Sequence, residues 1–273
     1  MTDSRGGAAK GSQRGGQYRI PVECVPDPVV SGCGHFLVDI EVDGNVVRAA
    51  LDTGVPRTLL FDVPSSAALV GTRRTSGAFG VGEVAEWEVG EIRLGSLRAG
   101  PVTVHHISRG RERHPVVGLD VLGQGSWQLA PGSRTLVTHV PFLGGSTLRS
   151  AANGHLLTEM RWSDGVASAL WDTGAGITLI DRRFAAAHPH LFQPAGVAKA
   201  TDITGANSEV ELANVPGYEI EGVPFVGHLV AITDLPAVPE PIDAAIGFPT
   251  IVQARWTVDL RARRWHIERR LAQ

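Results

Sequence analysis

The chain of 273 residues is 43% hydrophobic and 19% charged, a composition that allows one large or two small packed domains and excludes wholesale disorder. Its formal net charge of −3 offers no basic field for nucleic acid or for an anionic membrane, so neither is expected as a partner. The sequence contains no apolar run long enough to span a membrane, and residues 1–17 lack the apolar segment of a signal peptide. We therefore expect a cytoplasmic protein with a flexible N-terminal tail over residues 1–17.

An internal repeat with an offset of 120 residues divides the rest of the chain. The tetrapeptide Gly-His-Phe-Leu at 34–37 recurs as Gly-His-Leu-Leu at 154–157, and in each copy Asp-Thr-Gly begins 17 residues after the histidine. Trp127 and Trp256 also recur at matched positions, which core packing would explain. The repeat predicts an N-terminal lobe over residues 18–140 and a C-terminal lobe over residues 146–273. The Gly- and Ser-rich segment 141–153 is predicted to be the linker.

In chain order, the hydrophobic pattern of each lobe predicts short strands, so that the fold class is all-β with two small barrels or sandwiches. Residues 35–51 predict a hairpin that turns at Asp43-Gly44-Asn45, and residues 88–107 predict further strands around glycine and proline. Residues 127–140 and 256–268 predict hairpins that close each lobe. Helix is predicted only in short pieces, at 119–123, 182–188 and 249–254.

The Asp-Thr-Gly tripeptides at 52–54 and 172–174 carry the chemical signal. About 0.1 such tripeptides are expected by chance in this composition, whereas two occur at equivalent positions of the repeat. A simple turn could use Asp and Gly, but the apolar residues on both sides would bury the carboxylate, which is costly unless the group is paired or used. Two adjacent carboxylates can share one proton and hydrolyse an amide, one as base toward water and one as acid toward the carbonyl oxygen. Asp52 and Asp172 are therefore predicted to be catalytic, without a metal or cofactor, and the acid and base roles stay unassigned.

These motifs resemble the pepsin and retropepsin superfamily of aspartic proteases. In each lobe an apolar strand precedes Asp-Thr-Gly, and two apolar residues and a glycine follow later, at Gly118 and Gly247. The aspartate-to-glycine separations of 66 and 75 residues are similar to the short retropepsin subunit, so the chain resembles a retropepsin dimer fused into one bilobal chain. The resemblance implies pseudo-symmetric lobes of the acid protease type with an active-site cleft between them. It also implies a monomeric endopeptidase with a polypeptide substrate.

The resemblance implies supporting roles for the residues that follow each aspartate. Thr53 and Thr173 would link the two loops through hydroxyl–backbone hydrogen bonds. Gly54 and Gly174 would allow close backbone approach and direct N–H groups at the carboxylates. Pepsins carry Ser or Thr after this glycine, whereas Val and Ala occupy positions 55 and 175 here. Because one hydrogen bond to the charged carboxylate is then missing, we predict a pH optimum of about 5–6.

The resemblance further implies a substrate-covering hairpin, or flap, beyond each aspartate. In the N-terminal lobe this position falls on residues 75–82, which include Gly77, Phe79 and Gly80. In the C-terminal lobe it falls on residues 201–210, where Thr204 and Gly205 indicate a turn. Two ordinary surface hairpins are the alternative. No tyrosine lies at either tip, so backbone groups are expected to hold the substrate.

The sequence offers two alternatives to a peptidase. A catalytically silent peptide-binding module would retain the fold, but both aspartates and both Thr-Gly partners are present, which favours the enzyme. Several histidines could indicate a metal site, but their spacing does not match that of zinc ligands on a helix. These histidines are His105, His106, His114, His188 and His190.

Overall fold

The structure, a computed structural model, describes residues 12–14, 16–107, 114–142, 144–151, 154–236 and 240–269. Strands make up 54% of it and helices 8%, which confirms the all-β prediction. The α-helices are α1 (Leu119–Leu122), α2 (Arg182–Ala187) and α3 (Phe248–Ile251). Within the described ranges, no helix has the length and apolar character needed to cross a bilayer.

Fourteen strands of the described residues precede residue 140. They are β1 (Ser12–Arg14), β2 (Gln17–Pro21), β3 (Glu23–Pro26), β4 (Gly34–Val42), β5 (Asn45–Leu51), β6 (Leu59–Leu60), β7 (Ala68–Ser76), β8 (Val81–Val89), β9 (Ile92–Leu94), β10 (Leu97–Ala99), β11 (Val102–His106), β12 (Val116–Val117), β13 (Ser126–Ala130) and β14 (Thr135–Thr138).

Thirteen further strands follow in the described part of the chain. They are β15 (Ser146–Thr147), β16 (Arg149–Ser150), β17 (Leu156–Arg161), β18 (Val166–Trp171), β19 (Thr178–Asp181), β20 (Gln193–Thr201), β21 (Asn207–Asn214), β22 (Tyr218–Ile220), β23 (Val223–Phe225), β24 (Leu229–Thr233), β25 (Ala244–Ile246), β26 (Ala254–Asp259) and β27 (Arg264–Arg269). Single turns of 3₁₀ helix cover Pro131–Ser133 and Pro189–Leu191.

Two ten-stranded sheets have the same strand order. The first runs β10-β9-β4-β5-β12-β6-β11-β8-β7, with β3 paired to β4. The second runs β23-β22-β17-β18-β25-β19-β24-β21-β20, with β16 paired to β17. The parallel pairs also correspond, because β5–β12 and β6–β11 match β18–β25 and β19–β24. The repeat seen in the sequence is therefore also a repeat of topology.

A seven-stranded sheet, ordered β1-β2-β14-β13-β26-β27-β15, combines strands from both ends of the chain. The two hairpins predicted to close each lobe, β13–β14 and β26–β27, are present, and they pair with each other through β13 and β26. No sheet of the described residues closes into a barrel, so the barrel part of the prediction is wrong. Residue alternation determines which face of a strand is buried, but it does not determine whether the two edges of a sheet meet.

The predicted hairpin turn and the predicted helices are found near their expected positions. Asp43 and Gly44 have φ values of 46° and 82°, the paired left-handed residues of a tight hairpin turn between β4 and β5. The helix α2 begins after Asp181, whose carboxylate accepts a hydrogen bond from the Arg183 backbone N–H at 2.9 Å.

The predicted tail and linker are partly strands. Residues 12–14 form β1, and residue 17 begins β2. Within the predicted linker, residues 146–147 and 149–150 form β15 and β16. These short strands form because each pairs with a strand of a sheet, β1 with β2, β15 with β27 and β16 with β17, which a local pattern does not reveal. Residues 1–11 and 15 of the tail and residues 143, 152 and 153 of the linker lie outside the described residues.

Four tryptophans form the centre of the core beneath the paired loops. The Trp171 ring lies 5.7 Å from Trp127, 5.5 Å from Trp256 and 5.9 Å from Trp265, measured between ring centroids. The indole N–H of Trp127 donates to the Leu122 carbonyl, and that of Trp256 donates to the Ile251 carbonyl. Both tryptophans that recur in the sequence are thus core residues, as expected.

Candidate active site

Each Asp-Thr-Gly loop begins where a central strand ends. Asp52 follows β5 and donates its backbone N–H to the Val117 carbonyl at 3.1 Å. Asp172 follows β18 and donates its backbone N–H to the Ile246 carbonyl at 3.0 Å. The neighbouring parallel strand therefore anchors each aspartate backbone in the same way.

The structure brings the two predicted catalytic carboxyls together. The Asp52 and Asp172 side chains are hydrogen-bonded to each other, with Asp52 buried and Asp172 partly exposed. A Cβ atom on Gly54 would lie 2.5 Å from the Asp172 carboxyl carbon, and one on Gly174 would collide with the Asp52 carboxyl. Each glycine is needed because the carboxyl of the opposite loop occupies the space of its missing side chain.

Backbone N–H groups surround both carboxyls. The Gly54 N–H donates to Asp52 Oδ1 at 2.8 Å, and the Gly174 N–H donates to Asp172 Oδ1 at 2.9 Å. The Ala175 N–H donates to the same Asp172 oxygen at 3.2 Å. These donors stabilise negative charge at a site from which water is largely excluded.

Thr53 and Thr173 link the two loops. The Thr53 N–H donates to Thr173 Oγ1 and the Thr173 N–H donates to Thr53 Oγ1, both at 3.0 Å. The Thr53 hydroxyl itself donates to the Trp171 carbonyl at 2.8 Å, and both threonines are buried. The cross-link implied by the resemblance is therefore present in the structure.

Burial dominates the acidity of the pair. Burial raises the pKa of Asp52 well above its ordinary value, and the charge of Asp172 raises it further. Burial also raises the pKa of Asp172, but the hydrogen bonds from Gly174, Asp52 and Ala175 oppose this rise. The two carboxyls titrate as one unit that shares a proton.

The two hairpins predicted as flaps meet at their tips. The first is β7–β8, whose tip contains Gly77, Phe79 and Gly80, and the second is β20–β21, whose tip contains Thr204 and Gly205. A Cβ atom on Gly80 would lie 2.6 Å from the Ala206 Cβ, so the tips are in direct contact.

One carboxylate, that of Asp202, holds these tips together. Its Oδ2 accepts hydrogen bonds from the Phe79 N–H at 2.7 Å and the Gly80 N–H at 3.0 Å. Its Oδ1 accepts from the Thr204 N–H at 2.9 Å and the Ala206 N–H at 3.1 Å, within its own turn. Asp202 therefore orders the second tip and binds the first.

The second hairpin tip packs against the N-terminal half of the chain. Ile203 packs against an apolar cluster of the N-terminal half that includes Leu59 and Val84. Val55, the residue after Gly54, packs against the same cluster. The second hairpin tip and the residue after the first Asp-Thr-Gly therefore pack against one apolar cluster.

Sequence reasoning missed Asp202, His35 and His155. The two histidines were visible as markers of the repeat, and the structure places both beside the aspartate loops. Asp202 had no signal beyond its turn position. Among the described residues, no group of three or more His, Cys, Asp or Glu side chains is arranged to hold a metal.

Comparisons with known proteins assign neither a family nor a function to this chain. No protein-family model matches the sequence, and a search of curated proteins finds no match.

Proposed function

We propose that the protein is an aspartic endopeptidase of the acid protease type, built from two pseudo-symmetric lobes in one chain. The observation that carries this proposal is the pair of Asp-Thr-Gly loops, in which each glycine abuts the carboxyl of the other loop. A simple turn would need neither the hydrogen bond between the carboxyls nor the reciprocal threonine contacts.

The pair can supply both proton transfers of peptide hydrolysis. The ionised carboxylate removes a proton from a water molecule, whose oxygen attacks the peptide carbonyl carbon, while the protonated carboxyl donates its proton to the carbonyl oxygen. As the C–N bond breaks, the carboxyl that took the water proton passes it to the leaving amine, a hydroxyl of the tetrahedral gem-diol returns its proton to the other carboxylate, and the pair again holds one proton. Either carboxyl can be the acid of the first step and the other the base, since the two titrate as one unit.

A polypeptide would bind between the carboxyl pair and the two hairpin tips. The Phe79 and Gly80 N–H groups, which Asp202 occupies here, are the backbone donors that could bind peptide carbonyls when the tips separate. Binding through backbone groups agrees with the absence of a tyrosine at either tip. No metal or cofactor is required by this chemistry.

The proposal is tested by incubating the protein with a random peptide library between about pH 3 and 8, with and without a statine-type inhibitor. We expect inhibitor-sensitive cleavage with a maximum at about pH 5–6. A maximum below about pH 3 would contradict the prediction that the missing hydrogen bond to the charged carboxylate raises the pH optimum. Peptide binding without cleavage at any pH would support the silent peptide-binding module instead.

The single chain supplies both carboxyls, so the active protein is proposed to be a monomer. Light scattering under turnover conditions measures whether the active protein is a monomer. An obligate dimer would mean that the pair seen within one chain is not sufficient for activity.

A further inference from the structure

The tip of the second hairpin uses its backbone donors within its own turn. The Thr204 and Ala206 N–H groups donate to Asp202 Oδ1, and the Gly205 N–H donates to the Asp202 backbone carbonyl at 3.0 Å. The Thr204 hydroxyl also donates to Asp202 Oδ1, at 2.6 Å. These bonds join residues at most four positions apart in the chain, so they persist when the two tips separate.

The tip of the first hairpin directs its donors at the other half of the chain. The Phe79 and Gly80 N–H groups both donate to Asp202 Oδ2, which belongs to a residue more than 120 positions away. Both bonds are lost when the tips separate. Consecutive backbone N–H groups that converge on one oxygen form a binding site for a carbonyl or carboxylate oxygen. The Asp202 side chain occupies this site in the structure.

The first hairpin also leaves space for this carboxylate. A Cβ atom on Gly77 would collide with the Asp202 carboxyl group. Gly77 lies in the first turn, where its N–H donates to the Gly80 carbonyl at 2.8 Å, and its backbone is not left-handed. The contact therefore requires the missing side chain of Gly77 and not an unusual backbone conformation.

The chemistry of the contact suits a carboxylate. Every hydrogen bond that the structure gives to the Asp202 side chain is donated to it, on both of its oxygens. An ionised carboxylate only accepts hydrogen bonds, and such charge-assisted bonds are stronger than neutral ones. An asparagine amide would turn its NH₂ group toward the donors of one tip or the other.

We propose that Asp202 is a latch residue: its carboxylate holds the hairpin tips closed in the resting protein, and the backbone of a polypeptide substrate displaces it from the Phe79 and Gly80 N–H groups. The two hairpins then have different tasks. Opening releases the donors of the first tip to the substrate and leaves those of the second tip in their own turn. The role in substrate binding rests on the proposed peptidase function, whereas the role in tip closure does not.

The latch should weaken the apparent affinity for substrate. A ligand that binds only the open form has its apparent affinity reduced by the fraction of molecules that are open. A minor open form is typically populated at about 10% or less. Loss of the latch should therefore lower KM by about tenfold. The value of kcat should not change, because the hydrogen bonds of Asp202 lie within the two tips.

Two variants remove the latch from opposite hairpins. Asp202→Asn can keep its amide oxygen toward its own turn, but its NH₂ group then faces the N–H donors of the first tip. Gly77→Ala leaves Asp202 unchanged and fills the space of its carboxyl group. If one variant fails to fold, the other still tests the proposal.

Each variant has a matched control in the same hairpin. Glu209→Gln neutralises an exposed carboxylate of the second hairpin. Gly71→Ala adds a methyl group to the first hairpin at a position where a Cβ meets no atom within 4 Å. Both controls should behave like the wild type in tip separation, KM and kcat.

Tip separation is measured without substrate, by electron–electron distance measurements between nitroxide labels on the outer strands. The labels are attached through Arg74→Cys and Val197→Cys, both at exposed positions, in a chain that carries Cys24→Ser. Cys33 is buried and is left in place. Both latch variants should show a longer mean distance than their controls. An unchanged distance in either folded variant would overturn the proposal.

Steady-state cleavage of a library-selected peptide tests the role in substrate binding. Both latch variants should have the lower KM with unchanged kcat. A raised KM or a lowered kcat would overturn the proposal, because the carboxylate would then assist the bound substrate. Separated tips with an unchanged KM would refute displacement by substrate. Separated tips in a protein that cuts no peptide would refute the peptidase and leave the latch intact.

Discussion

Both halves contain the same Asp-Thr-Gly loop, but different side chains support this loop in each half. In the N-terminal half, the Thr58 hydroxyl accepts from the Gly118 N–H at 3.2 Å and donates to Asp120 Oδ1 at 2.8 Å. In the C-terminal half, the Thr178 hydroxyl accepts from the Gly247 N–H at 3.1 Å and contacts the Thr250 hydroxyl at 3.1 Å. The threonine is kept in both halves, whereas the group behind it changes from a carboxylate to a hydroxyl.

The hydroxyl of the C-terminal half belongs to a larger neutral network. Thr250 Oγ1 lies 2.7 Å from the Tyr218 hydroxyl and 2.9 Å from His228 Nε2. Burial raises the pKa of Tyr218 and lowers that of His228, so burial favours the uncharged form of both side chains. The residues that contact the carboxyl pair therefore have the same hydrogen-bond geometry in both halves. The residues behind them differ between the halves, because they need only supply a hydrogen-bonding partner for the same atoms.

The strongest test of this comparison replaces one carboxyl at a time. If each half contributes one of the two proton-transfer groups, Asp52→Asn and Asp172→Asn should each lower kcat/KM by about 10³-fold or more. Steady-state cleavage of a peptide selected from the library measures the loss, with the exposed Asp164→Asn as control. Turnover that survives in one variant would show that the two halves are not equivalent in chemistry.

The difference between the supports should appear in stability. Asp120→Ala leaves the buried N–H and hydroxyl of Thr58 without their acceptor and should lower the free energy of unfolding by about 2–3 kcal/mol. Thr250→Val removes one hydroxyl from a network in which Tyr218 and His228 still contact each other, and should cost about 1 kcal/mol. Urea unfolding monitored by tryptophan fluorescence measures the loss of unfolding free energy in each variant. Equal losses would contradict the difference between the two supports.

The hairpins differ as well, because the second supplies the acceptor and the first supplies the donors. Asp202→Ala should speed hydrogen exchange at the Phe79 and Gly80 amides by about tenfold or more, since both lose a carboxylate acceptor. Asn207→Ala is the control, because its side chain bonds only within the second hairpin. Unchanged exchange at the two amides would show that the Asp202 contact contributes little to holding the two hairpin tips together.

The smallest expected effect concerns the pH dependence of stability. Both carboxyls have a pKa raised above the ordinary value of 3.8, so the folded protein holds more protons than the unfolded chain once the pH exceeds that value. Stability should therefore fall as the pH rises from about 4 toward the raised values. Asp52→Asn and Asp172→Asn should each reduce this fall, because each removes one of the two carboxyls whose pKa is raised. Unfolding in urea at a series of pH values would show the reduction, and a steeper fall in either variant would contradict it.

The sequence alone was sufficient for the elements that depend on local pattern and on the repeat. The strand class, the hairpin at Asp43-Gly44, the short helices and the two Asp-Thr-Gly loops all follow from residue spacing and turn chemistry. These features depend on residues close in the chain, so periodicity and turn propensity contain most of the required information.

Only the tertiary structure decided how the two copies face each other. The β13–β26 pairing, the Asp202 contact and the approach of His35 and His155 to the opposite loops join residues more than 100 positions apart. No local pattern specifies such contacts, because their geometry depends on how two already folded sheets pack. The sequence therefore determined the repeated loop with its aspartate, and the packing of the two halves determined that the two aspartates form one pair.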